Sequence, residues 1–488
     1  MTDNRKTPPH RRTDPLASSV HRRDFLRGTI GIVGALTIPD LAAPPARGAD
    51  GTTPPRPNVL FILVDDMGWG DLSCNAPTAV PTPNIDRIAE EGTRFADFYV
   101  ASPICSPSRC GFITGQFPAR WRLTCYLQSR AGNRYCEQAD FLDPKAPSFV
   151  RAFQSAGYAT AHIGKWHLGG GRDVTDAPPF SAYGYDLGRG TYESPEPCAE
   201  LGLKTTPWSE QTEPQQVQRH DRTRWMVDET LAFAKKHSAR PWLVNLWLDD
   251  IHTPHRPSGE QLAAAGSGIG TPEYRAVLRE TDRQIGRLLD GLGDINMDAN
   301  TLIILAGDNG PQPPFGLTRS AGLRGMKASL YEGGIRTPFL VRWPKTVPAG
   351  VVNDTVVCAV DLFPTLCSLA GVATPNGVQF DGEDMSAAFR GGKIARTKPL
   401  FWEYGRKPVP KEAMPAGDFP YPKEPHSKSP NVAVREGDWK LLVNADGSGA
   451  ELYDLASDPN ESRDLASKNP GVANRLSAAA LAWRKSLP

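Results

Sequence analysis

An excess of charge of either sign is the first thing this chain lacks. Its 55 Lys and Arg stand against 54 Asp and Glu, a formal net charge of +1. No bulk field therefore marks nucleic acid as a partner. The eight cysteines include no C-x-x-C pair, which removes the usual framework of structural zinc. The apolar run Gly28–Ile38 is too short to span a bilayer, and no transmembrane segment is expected in the mature chain. Internal repeats and coiled-coil heptads are also missing. What remains, at 488 residues, is room for one large domain plus a smaller one, with an ample core.

The N-terminus is not bland. Arg22-Arg23-Asp24-Phe25-Leu26-Arg27 precedes that apolar run, and small residues with prolines follow to about Gly48-Ala49. This order resembles a twin-arginine (Tat) export signal, removed on maturation. The resemblance implies the Tat export machinery as a partner and a periplasmic or extracellular location. No cysteine lies near the end of the run, so a lipoprotein anchor is not supported. The expected organisation is a leader over 1–49, a catalytic α/β domain over 55–375 and a smaller C-terminal subdomain over 376–488.

Two stretches share one design. Val59–Asp65 is almost wholly apolar without alternation, the pattern of a parallel strand buried on both faces, and it ends in Asp65 and Asp66. Thr301–Gly307 is a second such strand and ends in Asp308 and Asn309. In open α/β sheets, ligands bind beyond the carboxyl ends of strands. If the two strands are neighbours, three carboxylates and an amide gather in one place, and their repulsion implies a cation. Oxygen ligands point to calcium or magnesium rather than zinc or copper. The plainer reading is that each acidic pair caps a turn.

Strand and helix signals alternate between and beyond these runs. A capped helix begins at Thr82-Pro83, and others are expected over Pro147–Ala156, Pro214–His237 and Pro272–Leu292. Tyr158–Ile163 and Trp242–Leu248 read as strands. The alternation argues for a doubly wound, mostly parallel sheet with helices on both faces. Beyond about Thr374, a Pro-, Lys- and Ser-rich excursion over 407–430 precedes short strand signals at Asn431–Arg435, Trp439–Val443 and Glu451–Asp454. An amphipathic helix over about Gly471–Leu487 would cover that smaller antiparallel sheet.

The most informative stretch is Cys105–Gly115, CSPSRCGFITG. Pro107 suits a first helical turn, which would put Cys105 at a helix N-terminus, where an anion is favoured. Arg109 adds a permanent charge with several donors. Read alone, Cys105 could instead pair with Cys110 or sit buried as a small apolar residue. The spacing Cys105, Pro107, Arg109, Thr114-Gly115 resembles the nucleophile loop of the sulfatase family. So do Pro81–Asp86, Gly164-Lys165-Trp166-His167-Leu168-Gly169, Gly325–Arg336, Arg435–Leu441 and Glu451–Leu455, spread from Asn58 to about Leu465.

This resemblance implies the alkaline-phosphatase-like fold and conversion of Cys105 to Cα-formylglycine by a formylglycine-generating enzyme. It implies one divalent cation, calcium with magnesium as the alternative, held by Asp65, Asp66, Asp308, Asn309 and an oxygen of the modified Cys105. Lys165, His252 and Lys327 are the expected sulfate-binding residues. The expected catalytic set is Cys105, Arg109, Lys165, His167, His252 and Lys327. One hydroxyl of the aldehyde hydrate would attack sulfur while His252 or Lys327 protonates the leaving oxygen. His167 would then take the proton of the other hydroxyl, and sulfate would leave. If Lys165–His167 is extended, Lys165 and His167 share a side and Trp166 faces the other. Glu332 and Arg336 are expected to fix the loop, His255 to make local hydrogen bonds, and Ser194 to offer a further polar position.

The expected activity is hydrolysis of sulfate esters of a sulfated carbohydrate. An arylsulfatase acting on small aryl sulfates is the alternative, as is a phosphoesterase of the same superfamily with two metals. A secreted protein that binds sulfated glycans without turnover is the reading from another class. With Cys105 converted, seven cysteines remain, and an odd number leaves at least one unpaired.

Overall fold

Apolar runs without alternation become the central strands. In chain order the strands are β1 (Asn58–Val64), β2 (Thr93–Phe95), β3 (Phe98–Tyr99), β4 (Ala159–Gly164), β5 (Leu187–Gly190), β6 (Trp242–Leu248), β7 (Thr301–Gly307), β8 (Phe339–Arg342), β9 (Val351–Asn353), β10 (Val357–Cys358), β11 (Leu400–Glu403), β12 (Val432–Glu436), β13 (Trp439–Val443) and β14 (Glu451–Asp454). The computed structural model describes residues 56–77, 80–198, 201, 217–312, 316–405 and 425–488. The expected leader, the start of the helix expected from Pro214 and the 407–430 excursion up to residue 424 lie outside the described residues.

The main sheet has the order β5-β4-β6-β1-β7-β8-β2-β9. Only β8 runs against the rest, antiparallel to both β7 and β2. Because side chains alternate along a strand, β1 divides its apolar residues between two layers. Val59, Phe61 and Leu63 join a core built with helices Cys105–Thr114, Phe149–Ser155 and Leu362–Ala370. Leu60, Ile62 and Val64 join a second core with helices Pro83–Glu90, Arg222–Lys236 and Pro272–Asp294. Both faces are therefore covered, as the unalternating runs required. The helix expected over Pro214–His237 is regular only from Arg222, after a short 3-10 turn at Arg219–Asp221.

The smaller sheet, β11-β12-β13-β14, is antiparallel throughout. Val432, Val434, Leu441 and Val443 face helix Pro470–Lys485, while Ala433, Leu442 and Tyr453 face the large core. Lys440 crosses between the layers. Its Nζ lies 2.8 Å from Glu332 Oε1 and 2.9 Å from Glu461 Oε1, with all three side chains fully buried.

One ammonium is shared by two buried carboxylates, and they titrate apart. Burial, opposed by Lys440, pushes Glu461 up to about 7. Burial also acts on Glu332, but Lys440, Arg336 and Arg435 outweigh it and hold that group below its ordinary value. A carboxyl raised in the folded state contributes stability that is complete below its unfolded value and is lost as pH rises through its folded value. For Glu461 that window runs from its ordinary 4.5 to about 7. Glu461→Gln should therefore look better, relative to wild type, at pH 8 than at pH 5, by on the order of 2 kcal/mol. Urea denaturation of both proteins at the two pH values checks this, and an unchanged difference refutes it.

Candidate active site

The register of β1 and β7 assembles the acidic centre. Val64 pairs with Gly307, so the next residues, Asp65 and Asp308, leave the sheet side by side. The Asp308 N–H donates to the Val64 carbonyl at 3.2 Å and the Asp65 N–H to Leu248 O at 3.0 Å. Asp66 then turns away in the left-handed region, with φ 59°, and its N–H donates to Asp308 Oδ1 at 3.0 Å. That turn is held by Arg319, whose Nη2 donates to Asp66 O at 2.7 Å. Arg319 Nε and Nη2 also donate to Asp71 at 2.9 and 2.7 Å, in a pair buried from solvent. Sequence reading singled out neither residue. Arg319→Met strands the Asp71 carboxylate and should cost about 3–5 kcal/mol. Equilibrium urea denaturation measures it.

Cys105 is the first residue of helix Cys105–Thr114, after an extended Ile104. Pro107 lies in the first turn, where a missing N–H costs nothing. Gly115, at φ 67°, ends the helix in the left-handed conformation that glycine adopts without strain. One ligand atom each from Cys105, Asp65 and Asp308 lies within 4.8 Å of the others, all three residues being buried. Burial pushes the Cys105 thiol up to about 11, against the pull of Lys165 and Lys327. Ser106, unnoticed in the sequence, accepts the Leu127 N–H on its Oγ at 3.0 Å and so ties the next loop to this helix.

One turn on, Arg109 is fully buried. Its Nε and Nη2 donate to Asp308 Oδ2 at 3.1 and 2.7 Å, and Nη1 donates to Lys165 O at 2.9 Å. Its guanidinium lies 5.1 Å from the centre of the Trp247 ring. Three of its donors thus hold a carboxylate and a backbone carbonyl in place.

Gly164 ends β4 at φ 114°, and a Cβ there would meet Trp247 O at 2.0 Å. Only glycine permits that approach, which lets Lys165 N–H continue the ladder onto Trp247 O at 2.9 Å. Lys165 Nζ donates to Asp65 Oδ2 at 2.6 Å. Trp166 packs among Phe180, Tyr183, Tyr185 and Trp247. The expected period-two alternation stops at His167, whose φ is 53°. The chain is therefore not extended through Lys165–His167, and strand alternation does not set the His167 direction. Its Nε2 faces Leu127 O at 3.3 Å. Burial and then Lys165 hold this imidazole well below its ordinary value, so it is neutral.

His252 follows β6, with Nε2 3.7 Å from Asp66 Oδ2 and Nδ1 2.7 Å from Thr253 O. Burial and then Lys327 push it down to about 4, against Asp66. Lys327 Nζ donates to Asp66 Oδ1 at 2.6 Å. Burial opposes the charge of Lys327, but Asp66 and its acidic neighbours raise it above its ordinary value. Asn309 Nδ2 donates to Asp66 Oδ1 at 2.7 Å. The remaining candidates are held locally. His255 Nε2 faces Ile251 O at 2.9 Å, Ser194 Oγ accepts the Glu196 N–H at 3.2 Å, and Glu332 accepts from Tyr99 and Lys440. Arg336 pairs with Asp97 at 3.2 Å.

The centre suits a hard cation. Asp65 Oδ1, Asp66 Oδ2 and Asn309 Oδ1 are buried oxygens without a hydrogen-bond partner. Buried acceptors left this way are costly unless an ion or water satisfies them. Burial and the Asp65 carboxylate push Asp308 up to about 7 even with Arg109 beside it. Asp65 itself feels the same burial, yet Lys165, His252 and Arg109 hold it well below its ordinary value. Carboxylates crowded in this way are what an added positive charge stabilises.

Comparison with known proteins gives the family. The sulfatase family model matches residues 57–372, and the N-sulphoglucosamine sulphohydrolase C-terminal model matches residues 326–478. The chain is 32% identical to the N-acetylgalactosamine-6-sulfatase of Canis lupus familiaris over 390 residues, covering 73% of this chain and 70% of that one. It is 30% identical to Arylsulfatase A of Homo sapiens over 455 residues, covering 84% and 83%. Among solved structures, that of Ps i-CgsB in complex with k-i-k-neocarrahexaose aligns with a TM-score of 0.70 at 26% identity, covering 88% of this chain and 93% of that one. Membership implies a divalent metal and a formylglycine in general terms. With a family model matching residues 57–372 and a relative 32% identical over 73% of the chain, this protein belongs to the sulfatase family of sulfuric ester hydrolases.

Proposed function

We propose that this sulfatase removes sulfate from a sulfated saccharide outside the cytoplasm, with calcium as its cation and Cys105 as the formylglycine precursor. The observation that supports it most is the meeting of buried Cys105 with Asp65 and Asp308 within 4.8 Å. Asp65, Asp66, Asp308 and Asn309 would hold the cation, which supplies positive charge against the acids and the ester oxygens. The aldehyde would supply a second hydroxyl, through which sulfate can be released. Arg109, Lys165 and Lys327 balance Asp65, Asp66 and Asp308 charge for charge, so a divalent ion leaves the centre positive and attractive to an anionic ester.

The protein's own groups then divide the work. Arg109 fixes Asp308 and the Lys165 carbonyl in register. Lys165 and Lys327 hold charge on either side of the carboxylate pair, where sulfate oxygens would bind. Lys327 keeps its proton at neutral pH and can deliver it to the leaving oxygen, with His252 beside it across Asp66. The Leu127 carbonyl selects the Nε2–H tautomer of His167, so Nδ1 is the acceptor and has no hydrogen-bond partner in the protein. A neutral imidazole in that tautomer suits a base.

The names of the relatives favour a saccharide, one an N-acetylgalactosamine-6-sulfatase and one solved with a neocarrahexaose. The Arg22–Arg27 segment supports Tat export to the periplasm or beyond. Protein co-expressed with a formylglycine-generating enzyme, with the mass of its Cys105 peptide known, should release sulfate from N-acetylgalactosamine 6-sulfate or carrageenan oligosaccharides faster than from 4-nitrophenyl sulfate. Aryl sulfate as the sole substrate would make it an arylsulfatase. Faster release of phosphate from 4-nitrophenyl phosphate would overturn the reading.

A further inference from the structure

Three segments distant in sequence meet beside His167. Gly169, Gly170 and Gly171 all have positive φ, and Arg172 follows them into the left-handed region at φ 50°. A Cβ on Gly170 would meet Pro195 N at 2.4 Å, so this run packs directly on the backbone after Glu193. Glu193, itself at φ 44°, accepts the His167 N–H on its carbonyl at 3.1 Å. Its side chain accepts from Arg172 Nε, also at 3.1 Å. Non-glycine residues keep such conformations only where their surroundings fix them, and they cluster at ligand-binding sites. The third segment brings Tyr126, whose ring centre lies 6.5 Å from that of His167 and 5.9 Å from the Arg172 guanidinium. Gln138 Nε2 pins that segment by donating to Tyr126 O at 2.9 Å.

The Arg172 guanidinium is held but not used up. Glu193 takes Nε alone, and Nη1 and Nη2 have no hydrogen-bond partner among the described residues. The Arg172 side chain is 27% exposed against 4% for Glu193, so solvent meets the cation rather than the carboxylate. Other acids of these loops are engaged elsewhere. Asp140 and Asp176 pair with Arg130, and Asp173 Oδ1 accepts the Arg130 N–H at 2.8 Å. A planar cation braced along one edge, with its terminal donors open, matches two oxygens of an anion.

We propose that Arg172 is a specificity-determining residue, whose Nη1 and Nη2 take a second anionic group, a carboxylate or a sulfate, on the saccharide whose ester is cleaved. This rests on the saccharide reading above and narrows it to doubly anionic substrates. Lys165 and Lys327 are paired with Asp65 and Asp66 and serve the scissile sulfate, so a second anion needs a cation of its own. Arg172 pairs with none of the carboxylates of that centre, and its hold on Glu193 keeps it beside His167.

The test measures sulfate release by full-length protein co-expressed with a formylglycine-generating enzyme. The substrates are N-acetylgalactosamine 6-sulfate, the same sugar bearing a second sulfate, and the same sugar joined to a uronic acid. At least one doubly anionic sugar should exceed the monosulfate in kcat/KM by about tenfold or more, mainly through KM. Which of them does so shows whether sulfate or carboxylate is bound. Arg172→Ala should bring that ratio to about one, and Arg172→Lys, which keeps the charge but not the fork, should retain only part of it. A wild type without the preference overturns the proposal. So does a ratio that survives in Arg172→Ala, even where every activity falls, because a purely structural role would weaken all substrates alike. In both of those outcomes the saccharide reading stands. Cleavage of 4-nitrophenyl sulfate with no saccharide cleaved overturns that reading and this proposal together.

Discussion

Cys105→Ser protein is expected to release one equivalent of alcohol from a sulfate ester and then stop. A serine hydroxyl at the head of helix Cys105–Thr114 keeps the position and the neighbours of the proposed nucleophile Cys105, including Lys165 and Lys327. It can therefore accept the sulfuryl group. It has no second hydroxyl from which collapse could expel sulfate, so the ester on residue 105 persists. Steady turnover should fall by about 10⁴-fold or more, the scale seen when a covalent nucleophile is lost. Rapid-quench measurement with 4-nitrophenyl sulfate should show a burst stoichiometric with enzyme. The peptide containing residue 105 should gain about 80 Da, the mass of the transferred group. Cys105→Ala should show no burst. Continuous turnover by the serine variant would mean that the second hydroxyl is dispensable, and the assignment of Cys105 would fall.

The second large effect concerns the cation. Dialysis of the active enzyme against a calcium chelator should lower activity by about 10³-fold, because the charge that stabilises the ester oxygens is removed. Calcium should restore it better than magnesium, since four side chains of flexible geometry suit the larger ion. Asp308→Asn should not be rescued by either ion. That variant also unpairs Arg109, whose Nε and Nη2 both donate to Asp308 Oδ2. Its stability should drop by about 3–5 kcal/mol, as for a broken buried pair. The two readouts separate the roles: chelation of wild type tests the ion with Arg109 still paired, and denaturation of the variant tests the clamp. Full activity in protein with no metal detectable would overturn the cation reading.

The residues also show why sequence reading reached as far as it did. Trp242–Leu248, Trp439–Val443 and Glu451–Asp454 are strands over the spans expected, because continuous or alternating apolar patterns report burial directly. The C-terminal helix, expected over 471–487, runs Pro470–Lys485. Missed were β2, β3, β5 and β8–β11, each of two to four residues, too short for a period to register. The reversed direction of β8 was not legible either, since strand patterning carries no sign.

For the site, chain-local chemistry named the groups: carboxylates at two strand ends, a cysteine at a helix start, and lysines and histidines within matching motifs. The register Val64–Gly307 that sets Asp65 beside Asp308, the turn at His167, and the hold of Arg319 on Asp71 from 248 residues away came only with the tertiary structure. Apolar periodicity and capping chemistry act over a few residues, so the sequence by itself determined the elements and the reactive groups. Register, charge pairing and burial arise when distant segments pack and exclude water, so the fold alone decided which charges face one another.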